Sequence, residues 1–246
     1  MHGEPYWIWI VFILFTLIVA IAAAVSAKKR RAAWAALAAE MGWQYSPNDP
    51  FGTRDALTQP LFQHGHSRKV SNVVYGQYQG VPIRCFDYRY TVGSGKNSHT
   101  YYFTCALLGS PLLFKPLVIR PEGIGDKIGH FLGVHDVQFE SDEFNRRYAV
   151  QCQDARFAFD VVHARTMELL LSTDGLAVEA SGFTVLIHGT SGQARLAFLG
   201  QEIRRMLDFG RAFIALLPDY LQQVDVAGVE LPQGRPTTEG LEWMLR

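Results

Sequence analysis

Hydrophobic and polar positions divide the chain into an uncharged first segment and a longer remainder of mixed polarity. Residues 7–27 contain no charged side chain, and their only polar side chains are Thr16 and Ser26. As a helix this run would be about 31 Å long, which matches the hydrocarbon thickness of a bilayer. Trp7 and Trp9 lie at one end, where aromatic rings favour the headgroup level. The pattern therefore predicts a transmembrane helix over 7–27.

A second helical pattern follows the uncharged run directly. Four apolar side chains recur at helical spacing, and Gly42 suits a helix end. These side chains are Trp34, Leu37, Ala38 and Met41. Residues 28–42 are therefore predicted to form a basic amphipathic juxtamembrane helix, either separate from the transmembrane helix or continuous with it. Two prolines and a glycine follow, which predicts a linker over 43–69.

From Val70 the hydrophobic period changes to two, which indicates β-strands. Residues 70–92 are predicted to form two strands joined at Gln79-Gly80, and residues 99–109 a third, antiparallel strand. Further expected elements are a short helix near 121–133, a strand at 146–152, one or two helices after Asp154, a hairpin turning at Ser181-Gly182 and a long helix over 193–217. The cytosolic domain over 70–224 is thus predicted to be α+β, with an antiparallel sheet of about 5 to 7 strands and packed helices. A mobile C-terminal tail is expected over 225–246.

Charge beside the uncharged run sets the predicted orientation. Lys28, Lys29, Arg30 and Arg31 follow the run, whereas the short external head over 1–6 has no lysine or arginine. Positive residues stay on the cytoplasmic side, so we expect a single-pass protein of the inner or plasma membrane, with its N-terminus outside and its C-terminal domain in the cytosol. The alternative is a cleavable signal peptide ending at Val25-Ser26-Ala27. Such a peptide would carry its positive charge before the apolar run, and its run would be shorter.

Composition narrows the class of partner. The chain has 23 basic and 23 acidic residues, and it lacks the broad positive field that duplex nucleic acid requires. Its cysteines, Cys85, Cys105 and Cys152, are odd in number and have no C-x-x-C spacing. They predict reduced, buried thiols rather than a disulfide framework or a zinc site.

The stretch GSGK at 93–96 has the look of a phosphate-binding loop. That motif needs a glycine five residues before its second glycine and a hydroxyl after its lysine, but Tyr90 and Asn97 occupy these positions. The motif also joins a strand to a helix, whereas this stretch lies between two alternating aromatic strands. It is therefore predicted to be the tip of a β-hairpin, with Lys96 as a solvated charge.

Neither a catalytic site nor a cofactor site is predicted. The sequence contains no G-x-S-x-G nucleophile motif. His64, His66, His130 and His135 would be the ligands of a metal-assisted hydrolase acting near the membrane, which is the alternative function. A zinc site usually includes a fixed local pair such as H-E-x-x-H, and the chain has none. We therefore expect no catalytic residues, no metal and no cofactor.

Several motifs together resemble a known family. They include NVVYG, FDYRYTVGSGKN, ESDEFNRRY and FAFDVVHARTMELLL, and they fall within residues 32–217. In this order they resemble an uncharacterised family of bacterial membrane-anchored proteins. The resemblance implies membrane attachment, but this family has no assigned activity or catalytic residues.

These observations predict a membrane protein of unknown biochemical activity whose cytosolic domain is a non-enzymatic binding or scaffolding module. Its expected partners are the lipid bilayer and a protein at the cytosolic face, without nucleic acid, and homo-oligomerisation through its membrane-proximal helices is compatible with this role. Lys28, Lys29, Arg30 and Arg31 are the candidate contacts to anionic lipid headgroups, contributing on the order of 1 kcal/mol each.

Overall fold

The membrane-proximal part of the chain is one uninterrupted helix. The computed structural model describes residues 6–122, 135–173, 175–189, 194–223 and 226–234. Helix α1 covers Tyr6–Met41, so the two predicted helices are continuous. Alanine, lysine and arginine occupy all of residues 27–33, and because these residues favour helix, nothing there ends it.

Helix α1 has an exposed part and a buried part. Its Trp7–Met41 portion reaches a mean hydropathy of 3.0 over 18 residues, and none of that apolar window is buried. At about 54 Å, α1 is far longer than the roughly 30 Å hydrocarbon core. Its last turns lie inside the domain, where Trp34 and Leu37 are 0% and 4% exposed. The helix is therefore a candidate membrane anchor that continues into the core of the folded domain.

The described residues form one antiparallel sheet of seven strands, which confirms the predicted α+β fold. The strands are β1 (Gln44–Ser46), β2 (His66–Tyr78), β3 (Val81–Val92), β4 (His99–Pro121), β5 (His135–Val137), β6 (Tyr148–Cys152) and β7 (Leu176–Gly189). Their order is β1-β2-β3-β4-β6-β5, and β7 pairs with β4. Gln79 and Gly80 have φ of 50° and 82° and form the predicted tight turn between β2 and β3.

Two long strands differ from the shorter elements that were predicted. β4 continues past Gly109 to Pro121, and β7 is a single strand. The prediction of a hairpin turning at Ser181-Gly182 is wrong, because β4 pairs with β7 on both sides of Gly182. Gly182 has a φ of 58° and lies between two register shifts, so it bends the strand instead of reversing it.

Alternation along β3 gives each face of the sheet its own core. Phe86, Tyr88 and Tyr90 point into one core. Ile83 and Cys85 point into the other, larger core, which also contains the end of α1. Both faces of the sheet are therefore covered by apolar side chains.

Residues 43–69 differ from the predicted linker. They contain β1, helix α2 (Thr53–Ala56) and a 3-10 helix over Pro60–Phe62. Leu61 and Phe62 are completely buried against the aromatic face of β3. Covering that face removes apolar surface from water, which offsets the cost of ordering a segment rich in helix breakers.

Part of the predicted C-terminal tail also packs against the domain. Within the described residues 226–234, Val229 is 9% exposed. The guanidinium of Arg84 donates from Nη1 to the carbonyl of Pro232 at 3.0 Å. These nine residues are therefore attached to the sheet rather than free of it.

Four further helices pack against strands β4, β6 and β7 or against one another. They are α3 (Asp142–Arg147), α4 (Ala155–Val161), α5 (Ala164–Ser172) and α6 (Leu199–Ala215). Asp154 accepts from the backbone N–H of Phe157 at 3.1 Å and caps the N-terminus of α4. In α6, Arg204 pairs with Glu40 of α1. Most of the helix expected near 121–133 lies outside the described residues.

The three thiols are predicted to be unreactive in the folded protein. Cys85 and Cys105 are fully buried, and Cys152 is 1% exposed. Burial raises the pKa of all three thiols, so the reactive thiolate is scarce at neutral pH. We expect native full-length protein in neutral detergent to react with a thiol reagent roughly a hundredfold more slowly than the denatured chain. Rapid labelling of any one thiol below pH 9 would contradict this burial.

Candidate functional site

A buried ion pair fastens α1 to the middle of β3. Arg30 donates from Nε to Asp87 Oδ2 and from Nη2 to Asp87 Oδ1, both at 2.6 Å. The Arg30 and Asp87 side chains are only 13% and 2% exposed. Two parallel N–H to oxygen bonds fix the orientation of both groups. The sheet is therefore held rigidly to the helix a short distance after the uncharged run ends.

Further donors complete the surroundings of this ion pair. Asp87 Oδ2 also accepts from Trp34 Nε1 at 3.0 Å and from Asn72 Nδ2 at 2.8 Å. Arg30 donates from Nη1 to the carbonyl of Ala194 at 2.8 Å, and from Nη2 to Thr104 Oγ1 at 3.2 Å. Because both charges are satisfied by several partners, the cost of removing them from water is offset.

A bulge in β2 aims Asn72 at this carboxylate. The pairing of β2 with β3 shifts register between Ser71 and Val74, and Asn72 has a φ of 54°. Asparagine tolerates this left-handed conformation better than most residues. Tyr45 donates to Asn72 Oδ1 at 3.1 Å and holds the amide in place. Burial raises the pKa of the Tyr45 hydroxyl, so it remains a donor at neutral pH.

Contacts of α1 show which end of the sheet is nearer the uncharged part of the helix. Trp43, after the end of α1, donates from Nε1 to the Gln77 carbonyl near the β2–β3 turn, whereas Trp34 reaches Asp87 in the middle of β3. Helix α1 and strand β3 therefore run antiparallel, so the uncharged run of α1 lies toward the C-terminal end of β3. The tip over 93–98, which connects β3 to β4 as predicted, follows the C-terminal end of β3.

A cavity lies between α1 and this end of the sheet. It has a volume of about 440 Å³ and includes the Arg30–Asp87 pair in its wall. The helix contributes Ala23, Ser26 and Ala27, while the strands contribute Lys69, Arg89 and Tyr102. The cavity is thus bordered by small side chains on the helix and by longer, mostly polar side chains on the sheet.

The sheet wall of the cavity is cationic. Lys69 and Arg89 are directly opposite one another on β2 and β3, and like charges in that position destabilise a sheet. Arg31 also lines the cavity. Within the described part of the chain, Lys69, Arg89 and Arg31 form no ion pair with a carboxylate. Arg30 neutralises Asp87, the acidic residue in the wall. The cavity therefore carries an excess positive charge.

Charge is also distributed unevenly along the chain. Residues 28–104 contain ten lysines and arginines against four acidic residues, although the whole chain is neutral. This region supplies α1 after the uncharged run and the β2–β3–β4 part of the sheet. This part of the domain therefore carries a net positive charge, although the whole chain is neutral.

The predicted lipid contacts divide into two groups. Lys28, Lys29 and Arg31 are exposed, whereas the guanidinium of Arg30 turns inward to Asp87. Contact of these four residues with lipid stays a prediction. The sequence pattern did not distinguish Arg30 from its neighbours, because the distinction depends on Asp87, which lies 57 residues away.

Sequence reasoning missed Lys69, Asn72, Asp87 and Arg89 as site residues. One signal was present, since alternation placed Asp87 and Arg89 together on the face of β3 opposite the aromatic residues. Charged side chains on one strand face suggest solvent, however. Only the position of α1 over that face makes Asp87 buried and leaves Arg89 at a cavity wall.

Of the four candidate histidines, the structure describes the side chains of His64 and His66. No group of three or more metal-binding side chains is found among those residues. His66 Nε2 lies 2.8 Å from the Gly93 carbonyl, and His64 lies beside the ring of Tyr90. His130 falls outside the described residues, and the side chain of His135 is not described either.

Comparison with known proteins gives a fold relationship. No protein-family model and no curated protein matches the chain. A solved structure with a similar fold is that of the mycobacterial trehalose monomycolate transport factor A, TtfA. It is 14% identical, with a TM-score of 0.58, and the similarity covers 81% of this chain and 97% of the other. At this identity the likeness shows the fold alone, so the chain is similar in fold to a bacterial protein, and the family resemblance stays a prediction.

Removal of Asp87 is predicted to destabilise the domain strongly. Asp87→Ala leaves Arg30 buried without a counter-charge, so we expect a loss of about 3–5 kcal/mol in the free energy of unfolding. The measurement is urea unfolding of the full-length protein in neutral detergent, followed by tryptophan fluorescence.

The exposed pair of Arg54 and Asp55 provides a matched control. Their side chains are 44% and 54% exposed, so Asp55→Ala should cost at most about 1 kcal/mol. Replacing both buried partners, as in Arg30→Met with Asp87→Leu, should recover much of the loss caused by Asp87→Ala. Equal costs for Asp87→Ala and Asp55→Ala would show that the buried pair does not hold the helix to the sheet.

Proposed function

We propose that this protein is a non-enzymatic, membrane-anchored binding module whose ligand site is the cationic cavity beside α1. The observation that carries the proposal is the direct opposition of Lys69 and Arg89 on neighbouring strands. Both side chains are exposed, so solvent screens part of their repulsion. An anion bound between them would remove the part that remains. The ligand is therefore an anionic group that both cations contact.

The rigid attachment of the sheet supports a binding role at the membrane. A flexible linker would let the domain move freely, whereas α1 is helical through Arg30 and on to Met41. The ion pair to Asp87 fixes the cavity at a constant distance from the uncharged run. The site is thus kept near the membrane surface, where a binding or scaffolding module would meet its ligand.

The orientation proposed for the anchor has the N-terminus outside and the domain in the cytosol, at the inner or plasma membrane. The basic residues 28–31 support it, and so do three free thiols, which suit a reducing compartment. The structural neighbour is named as a transport factor and not as an enzyme, which agrees with a non-enzymatic role.

Multivalent anions are predicted to stabilise the protein through the cavity. Inorganic pyrophosphate should raise the thermal unfolding midpoint of the full-length protein in neutral detergent by several degrees more than sodium chloride of equal ionic strength, because a ligand stabilises the state that binds it. Lys69→Gln with Arg89→Gln should abolish most of this difference. The readout is tryptophan fluorescence during heating.

Two comparisons distinguish pyrophosphate binding in the cavity from a non-specific effect of positive charge elsewhere on the protein. Arg156→Gln with Arg165→Gln removes two exposed positive charges on α4 and α5 and should leave the pyrophosphate effect intact. Without ligand, Lys69→Gln alone should raise the free energy of unfolding by about 0.2–1 kcal/mol, since it relieves the repulsion with Arg89. A pyrophosphate effect of equal size in both double variants would rule out the cavity as the anion site.

A second prediction concerns orientation. Alkaline phosphatase fused to the C-terminus, which is active only outside the inner membrane, should be inactive, whereas a fluorescent protein that folds only in the cytosol should be bright. Replacing Lys28, Lys29 and Arg31 with glutamine while adding lysines to the head should weaken this preference. An active phosphatase fusion of the unaltered chain would overturn the proposed orientation.

A further inference from the structure

We infer that the ligand of the cationic cavity is the phosphate-bearing headgroup of an anionic phospholipid from the leaflet that α1 enters. This inference rests on the proposed binding function and identifies the source of the anion. The cavity is lined on its helix side by residues at the end of the uncharged part of α1, namely Ala23, Ser26 and Ala27. Three features of the cavity favour a membrane lipid over a dissolved anion.

The first feature is the depth of the cavity along α1. Its helix wall extends from Ala23 to Arg31, so it includes the last turns of the uncharged run and the first basic residues. Arg31 lies about 6 Å beyond Ala27 along the helix axis, and a headgroup layer is roughly 5–8 Å thick. The cavity therefore spans the boundary between acyl chains and headgroups, where a phospholipid phosphate lies.

The second feature is the difference between the two walls. The helix side presents Ala23 and Ala27 one turn apart, which are small and apolar, together with Ser26, Arg30 and Arg31. The sheet side presents Lys69 and Arg89. A dissolved anion would gain nothing from the alanine wall. An anionic phospholipid would use both walls, with its phosphate between the cations and the start of an acyl chain along the alanines.

The third feature is the position of Tyr102. Its ring lines the cavity and is 42% exposed, opposite Arg89 on the neighbouring strand. Tyrosine favours the membrane interface, because its ring suits the acyl boundary and its hydroxyl suits the headgroup layer. This exposed aromatic side chain therefore lies where a membrane would contact the sheet.

The test uses full-length protein in nanodiscs and measures the thermal unfolding midpoint. Discs of phosphatidylcholine alone are compared with discs that also contain phosphatidylglycerol, and native mass spectrometry counts the phosphatidylglycerol molecules retained from mixed micelles. We expect phosphatidylglycerol to raise the midpoint and to be retained by the unaltered chain. Lys69→Gln with Arg89→Gln should weaken retention about thirtyfold, and Arg156→Gln with Arg165→Gln should not.

A second pair of variants tests the acyl side of the cavity. Ala23→Leu with Ala27→Leu fills the helix wall but keeps every cation, so it should reduce phosphatidylglycerol retention and leave the pyrophosphate effect unchanged. Ala24→Leu, on a part of α1 that does not line the cavity, is the matched control. Leucine is well tolerated in a membrane helix, so both proteins should insert normally.

The outcomes separate this inference from the function on which it rests. If pyrophosphate stabilises the chain through Lys69 and Arg89 but phosphatidylglycerol does not, the cavity binds a soluble anion and the lipid inference is overturned. Phosphatidylglycerol binding that is unaffected by the alanine substitutions would likewise overturn it, since the acyl chain would then lie elsewhere. If neither anion acts through the two cations, the proposed function fails as well.

Discussion

The bidentate contact between Arg30 and Asp87 is the interaction on which the rest of the molecule depends. It connects the helix that leaves the uncharged run to the central part of the sheet, with side chains only 13% and 2% exposed. A buried pair of this kind adds little stability by itself, because desolvation of both charges offsets their attraction. Its main effect is to fix the orientation of the helix relative to the sheet, because a guanidinium can bind a carboxylate through two hydrogen bonds in only a few geometries. The direction in which the domain leaves the membrane helix is thereby fixed.

The cavity follows from the same arrangement. On the membrane side of Asp87, the face of the sheet that α1 crosses changes from apolar side chains to Lys69, Arg89 and Tyr102, so the helix and the sheet no longer pack together. Two cations facing each other across neighbouring strands are unfavourable for an isolated fold. Local conflicts of this kind are expected at functional sites, which is why the cavity and not the hairpin tip is the candidate site. The bulge at Asn72 is also locally unfavourable, because Asn72 has a left-handed conformation inside a strand. It places the Asn72 amide where it donates to Asp87.

Long-range pairing shapes the rest of the domain. β4 is 23 residues long and pairs with β3 and β7 along its first part and with β6 and β7 along its last part. Its partner β7 bends at Gly182 to stay in contact on both sides of the register shifts. A single strand pair therefore joins the membrane-proximal half of the sheet to the half that carries α3, α4 and α5. The similarity to TtfA, at a TM-score of 0.58, extends over 81% of the chain and so includes most of this architecture.

The sequence by itself determined the uncharged helix, the basic residues that follow it, the alternating strands around 70–109 and the α+β class, because these depend on local periodicity and composition. It also excluded a phosphate-binding loop at 93–96, since spacing alone decides that motif. Only the tertiary structure decided that 43–69 covers a sheet face, that Ser181-Gly182 bends a strand instead of turning a hairpin, and that Arg30 differs from Lys28, Lys29 and Arg31. Each of these outcomes depends on a partner far away in the chain. Local patterns show which residues are apolar or charged, but only the packed fold determines which of them meet.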